Sequence, residues 1–149
     1  MKLHTDTNAA LNTVTGYGNG FVEINRMRFD HAIFFGPSGD VLRWPAEHPE
    51  QISTEILLLA AGLTLLPIDP MAFLESDQPP QPEVVGERPE VLLVGTGSRQ
   101  RMLDHKVLAP LLRIGVGVEC MTTQAAARTY NILMAEGRQV IAALLPEQV

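Results

Sequence analysis

The residues with most to offer chemically stand where the apolar run Val91-Leu92-Leu93-Val94 passes into Gly95-Thr96-Gly97-Ser98 and then Arg99 and Arg101. Glycines let backbone N–H groups approach an anion, and a helix N-terminus adds positive partial charge, so a phosphate or carboxylate could bind there. Gly95 and Gly97 match the first two glycines of a dinucleotide fingerprint, and Glu119 closes the next strand, where a ribose-binding acid belongs. The third glycine position holds Gln100, however, and Asp104 to Pro110 delays the helix. Three readings stay open for this turn: a nucleotide cradle, a tight structural turn, and a site for another ligand or a partner. Arg99 and Arg101 read either as solvated loop charges or as cations suited to a small anion or an acidic partner. Thr129, Tyr130 and Asn131 occupy the middle of a helix in which Ala and Leu would be better formers. They either face a cleft at the strand ends or satisfy buried backbone groups.

Other catalytic patterns fail on inspection. His4, His31, His48 and His105 have no i, i+4 pairing and none lies beside Cys120 in sequence, so neither a zinc site nor a thiol dyad is supported. A lone cysteine ending an apolar strand reads first as a small core residue. Ser98 lies outside the Gly95–Gly97 turn and has no recognisable partner, which excludes a nucleophile elbow. No catalytic residue, metal or cofactor is assigned.

The elements that must position these groups change character along the chain. Thr13 to Gly18, Gly20 to Ile24, Met27 to Phe29, Ala32 to Phe35 and Val41 to Trp44 are short, β-branched or aromatic runs. Turn residues separate them, which predicts antiparallel hairpins. Ile52, Glu55, Ile56, Leu59, Ala60 and Leu63 recur at helical spacing and predict a helix from Ser53 to Ala61. Asp69 before Pro70 predicts a short helix to Glu75. Asp77 to Pro89, rich in proline and poor in apolar residues, reads as an extended surface connection. Val91–Val94 is apolar throughout, as a strand covered on both faces requires. A helix follows from the cap Asp104, with Pro110 fitting only in its first turn or at a kink. Gly115 to Glu119 is the next strand, Thr122 or Thr123 caps a helix that Gly137 ends, and Val140 to Leu145 is the last strand, closed by Pro146. Strands joined through helices imply parallel neighbours, hence an α/β sheet. With no repeat and no second composition class, residues 1–149 read as a single domain: a strand-rich part (1–45), a helix and proline-rich connection (46–90), and an α/β unit (91–149).

Composition limits the partners. The net charge is −6, from 17 acidic against 11 basic residues with no long basic run, whereas a nucleic-acid footprint needs a concentrated basic face. A single cysteine excludes an intramolecular disulfide framework and points to a reducing, cytoplasmic setting. Lys2 to Asn8 lacks the apolar core of a secretory signal. Ile56 to Ile68, the longest apolar stretch, is interrupted and too short to span a bilayer.

Taken in order, three segments carry a family resemblance: Val91 to Gln100, Gly115 to Thr123, and Ala126 to Leu133 with Glu136-Gly137-Arg138. Together they resemble the small bacterial domain family related to the mitochondrial complex I assembly factor 3, and Tyr17 to Trp44 is similar to its strand-rich opening. The resemblance implies a three-layer α/β domain with a central mixed five-stranded sheet, the last strand antiparallel to the others. It also implies a non-catalytic assembly role, exercised with a protein partner and peripheral to the inner membrane. Gly95, Thr96, Gly97, Arg99, Thr129, Tyr130 and Asn131 would then form one groove for that partner or for a small anion. The alternative is an enzyme holding a small substrate in the same cleft, for which no obvious base is available. Ile52 to Glu87 is longer than the family's usual connection.

Overall fold

The computed structural model describes residues 11–75, 77–80 and 83–148. The polar opening from Lys2 to Asn8 and, within the proline-rich connection, Gln81 and Pro82 lie outside the described residues. The opening strands β1 (Val14–Gly18), β2 (Phe21–Ile24) and β3 (Met27–Phe29) form an antiparallel three-stranded sheet. Its second reversal turns on Asn25 and Arg26, both at positive φ, 51° and 68°. Asn25 is further held by donating to Asn12 Oδ1 at 2.8 Å.

The main sheet has five strands in the order β5-β4-β10-β8-β9. They are β4 (Ile33–Phe35), β5 (Leu42–Arg43), β8 (Val91–Gly95), β9 (Gly117–Met121) and β10 (Val140–Leu144). β8 pairs in parallel with both β9 and β10, because α3 (His105–Arg113) and α4 (Thr123–Ala135) carry the chain back across the sheet between them. The sheet is mixed, as the resemblance implied, but the strand opposed to its neighbours is β4 rather than the last strand. β4 enters without a crossover helix and pairs antiparallel with β10 on one side and β5 on the other.

Alternation along the buried strands divides the core into two layers. Leu92, Val94, Ala143 and Leu145 face one side, with α1 (Thr54–Ala61), Trp44 and Leu111 of α3. Val91, Leu93, Ala142 and Leu144 face the other, where α4 and the strands β1 and β2 cover them. Helices therefore lie on both faces of the sheet, which makes the three layers.

Local signals explain the helix ends. Ser53 accepts from the Ile56 N–H to start α1. Gly62, at φ 72°, ends it with Leu63 N–H donating to Leu58 O, the left-handed stop that glycine favours. Asp104 Oδ1 accepts from Lys106 N–H at 3.0 Å and starts α3. Pro110 is the sixth residue of that helix, so of the two placements open to it the first turn is ruled out. The carbonyl it leaves without a helical donor belongs to exposed Lys106, where water can serve instead. The middle connection holds an element that its composition hid. β6 (Thr64–Leu65) pairs with β7 (Val84–Val85), closing the base of an excursion that contains the short helix α2 (Ala72–Glu75).

Candidate functional site

The carboxyl ends of β8 and β10, where open α/β sheets hold ligands, carry the Gly95 turn. Gly95 is required by packing: a Cβ there would lie 2.8 Å from Leu144 Cδ2 and 3.0 Å from Thr123 Cα, so the start of α4 could not sit on the strand. Gly97 has φ 93°. Thr96 is buried, and its hydroxyl donates to Arg99 O at 2.6 Å while accepting from Arg101 N–H at 3.1 Å, closing the loop that follows.

Thr123 is the residue that sequence reasoning read only as a possible cap. The cap is Thr122, which accepts from the Ala125 N–H at 3.2 Å. Thr123 is wholly buried; its Oγ1 accepts from Gly97 N–H at 2.9 Å and donates to Leu145 O, and its own N–H donates to Gly97 O at 2.9 Å. One side chain thus joins the end of β8, the start of α4 and the end of β10. A second threonine directly after the cap was the available signal, but the contact is tertiary. The consequence for chemistry is direct: the Gly97 N–H, the donor an anion cradle would use, is already occupied.

Beside this joint lies a hollow of about 210 Å³ walled by Gly97, Ser98, Arg99, His48, Pro146 and Gln148. A broader one of about 780 Å³, which shares Glu47, Pro146 and Gln148 with it, continues toward His31 and Arg43. Ser98 Oγ donates to Gln148 O at 2.9 Å and fixes one wall. Arg99 is exposed and, among the described residues, has no carboxylate within ion-pair distance. Arg101 lies 4.0 Å from Glu50, both largely exposed, a pair worth little in water.

Tyr130 and Asn131 stand two turns further along α4, about 10 Å from Thr123 at the helical rise. Tyr130 is wholly buried, edge-on to Phe35 at 4.8 Å, and its hydroxyl donates to Asn12 O at 2.9 Å. Burial pushes its phenol well above the usual range. Asn131 binds the backbone of Val14 in both directions, accepting from its N–H at 2.9 Å and donating to its carbonyl at 2.8 Å. These two side chains therefore fasten the first sheet to α4, and Thr129 is half-buried beside them. The structure brings Gly97 and Arg99 together at one hollow and places Tyr130 and Asn131 at a separate contact. Cys120 is buried beneath α1 and α3, and desolvation raises its thiol pKa against a smaller opposing effect from the Leu103 backbone. Among the described residues, no three His, Cys, Asp or Glu side chains are grouped to hold a metal ion.

Fold and site together define a small three-layer α/β protein with a polar hollow at the carboxyl ends of its parallel strands. Residues 14–145 match the family described as protein of unknown function DUF498/DUF598, and the chain belongs to that family. A Mth938-like domain protein from Bordetella pertussis, solved by NMR, is 55% identical, with 99% of this chain and 94% of that chain covered and a TM-score of 0.74. Among curated proteins, NADH dehydrogenase [ubiquinone] 1 alpha subcomplex assembly factor 3 of Xenopus tropicalis is 41% identical over 66 residues, 44% of this chain and 36% of that protein. The human protein of the same name is 42% identical over 59 residues, 40% of this chain and 32% of that one. The match thus spans about a third of the length of these assembly factors.

Proposed function

We propose that this chain is a non-catalytic binding module that supports assembly of a respiratory membrane complex, with the Gly97–Arg99 hollow as its contact for a protein partner. The observation that carries the reading is the similarity to assembly factor 3 of the NADH dehydrogenase alpha subcomplex. The geometry is compatible with it. The turn's backbone donor is used internally by Thr123, while Arg99 is exposed at the rim with no ion-pair partner among the described residues, an arrangement suited to surface contact with an acidic partner. None of the described helices is long and apolar enough to cross a membrane.

A photo-crosslinking residue placed at Arg99 in the native host tests this. The expected result is a covalent adduct with a subunit or assembly intermediate of the membrane NADH dehydrogenase, together with reduced assembled complex when the gene is deleted. Normal levels of the assembled complex in the deletion strain would overturn the reading.

A further inference from the structure

At the opposite end of the sheet, where β10 begins and β4 ends, lies a hollow of about 430 Å³. Its size falls in the range of small-molecule sites, which are mostly apolar with a few placed polar groups. Its apolar lining is drawn from both layers: Ala61 ends α1, Met134 lies in the last turn of α4, and Ile141 and Pro37 join them. The rim is polar, and its charges are not equally engaged. Arg138 pairs with Glu90 at 2.9 Å, and Glu87 accepts from Gln139 Nε2 at 3.2 Å. Arg88, the remaining cation at the mouth, has no ion-pair or hydrogen-bond partner for its guanidinium among the described residues.

We infer that this hollow binds a free single-chain amphiphile, its one anionic group on Arg88 and its hydrocarbon body over Met134 and Ile141. An apolar floor alone would accept any hydrocarbon. The unpaired guanidinium, beside an Arg138 that Glu90 already engages, adds the preference for a carboxylate or similar head. The site lies at the other end of the strands from the Gly97 hollow and is independent of the assembly reading.

Titration of the protein with decanoate, followed by two-dimensional amide NMR, tests the inference. Decan-1-ol and phosphatidylglycerol vesicles serve as parallel arms. Decanoate is expected to give saturable shifts at Ser38 and from Gly137 to Ile141. Arg88→Gln should weaken it roughly tenfold, the value of one charge-assisted hydrogen bond, while leaving decan-1-ol binding unchanged. Arg88 is exposed, so this variant keeps the fold. Absence of saturable shifts up to the solubility limit, shifts confined to other regions, or equal binding of decanoate and decan-1-ol would each overturn it. Binding to vesicles without any response to free decanoate would overturn it as well, assigning the surface to bilayer lipid.

Discussion

At the scale of single residues, the sheet end is held by a hydroxyl rather than by the glycines that draw the eye. Thr123→Val keeps the shape but leaves Gly97 N–H and Leu145 O buried without partners. Each orphaned group costs about 1–3 kcal/mol, so the loss in urea unfolding should be about 2–6 kcal/mol. Thr123→Ser, which keeps the hydroxyl and drops one methyl, should cost about 1 kcal/mol or less. If valine is tolerated as well as serine, the joint does not depend on these bonds. Tyr130 and Cys120 govern the alkaline limb of stability. Burial disfavours the ionised form of both, so the native state holds each proton to higher pH than the unfolded chain does. Stability is then full below the unfolded values and falls as pH rises, from about 8.5 through the thiol and from about 10 through the phenol, by about 1.4 kcal/mol per pH unit for each group. Tyr130→Phe should lose about 1–2 kcal/mol at neutral pH with the Asn12 bond, yet show a shallower decline above about pH 10. Equal slopes for the two proteins in denaturant titrations at pH 9 to 11 would show that the phenol is solvated in the native state.

At the scale of elements, legibility followed locality. The strands β8 and β10, the cap Asp104 and the Gly137 stop were readable because each is written in a few adjacent residues: an apolar run, a carboxylate before a helix, a glycine after one. Strands β6 and β7 were not, since two-residue strands whose partners lie some twenty positions apart have no period to detect. The position of the Gly97 hollow was legible for the same local reason. The separation of Tyr130 and Asn131 from it was not, because their partners, Asn12 and Val14, lie more than a hundred residues earlier. The excursion closed by β6 and β7 leaves Phe73 60% and Leu74 78% exposed, which makes it the rival to the hollow as a partner surface. Replacing both with serine should change unfolding free energy by less than about 0.5 kcal/mol, as exposed substitutions do. If the partner sits at Arg99, this double variant should also restore complex assembly fully in the deletion strain. Failure to restore it, with stability unchanged, would move the contact surface to the excursion.

For the whole molecule, the order of strands decides when the fold can close. β10 is the centre of the five-stranded sheet, yet it comes last in the chain: Ile33 pairs with Leu144 and Phe35 with Ala142, while Val91 pairs with Val140 on the other edge. Without it, β4 and β5 have no connection to β8 and β9, and both core layers lose the residues that β10 contributes, Val140, Ala142 and Leu144 to one and Ala143 to the other. Helix α4 would then cover a sheet with its central strand missing, exposing apolar area worth far more than the roughly 5–15 kcal/mol by which domains are stable. A chain truncated after Ala135 should therefore show no cooperative thermal transition and collapsed amide dispersion in NMR, whereas one ending at Gln148 should unfold as the full chain does. Addition of the 136–148 segment as a separate peptide should restore dispersion, because β10 is joined to its neighbours by non-covalent contacts, chiefly backbone pairing and apolar packing with the Thr123 hydroxyl on Leu145 O, that a separate peptide can remake. A dispersed, cooperatively unfolding 1–135 fragment would show instead that the first sheet and α4 suffice to hold a core without the central strand.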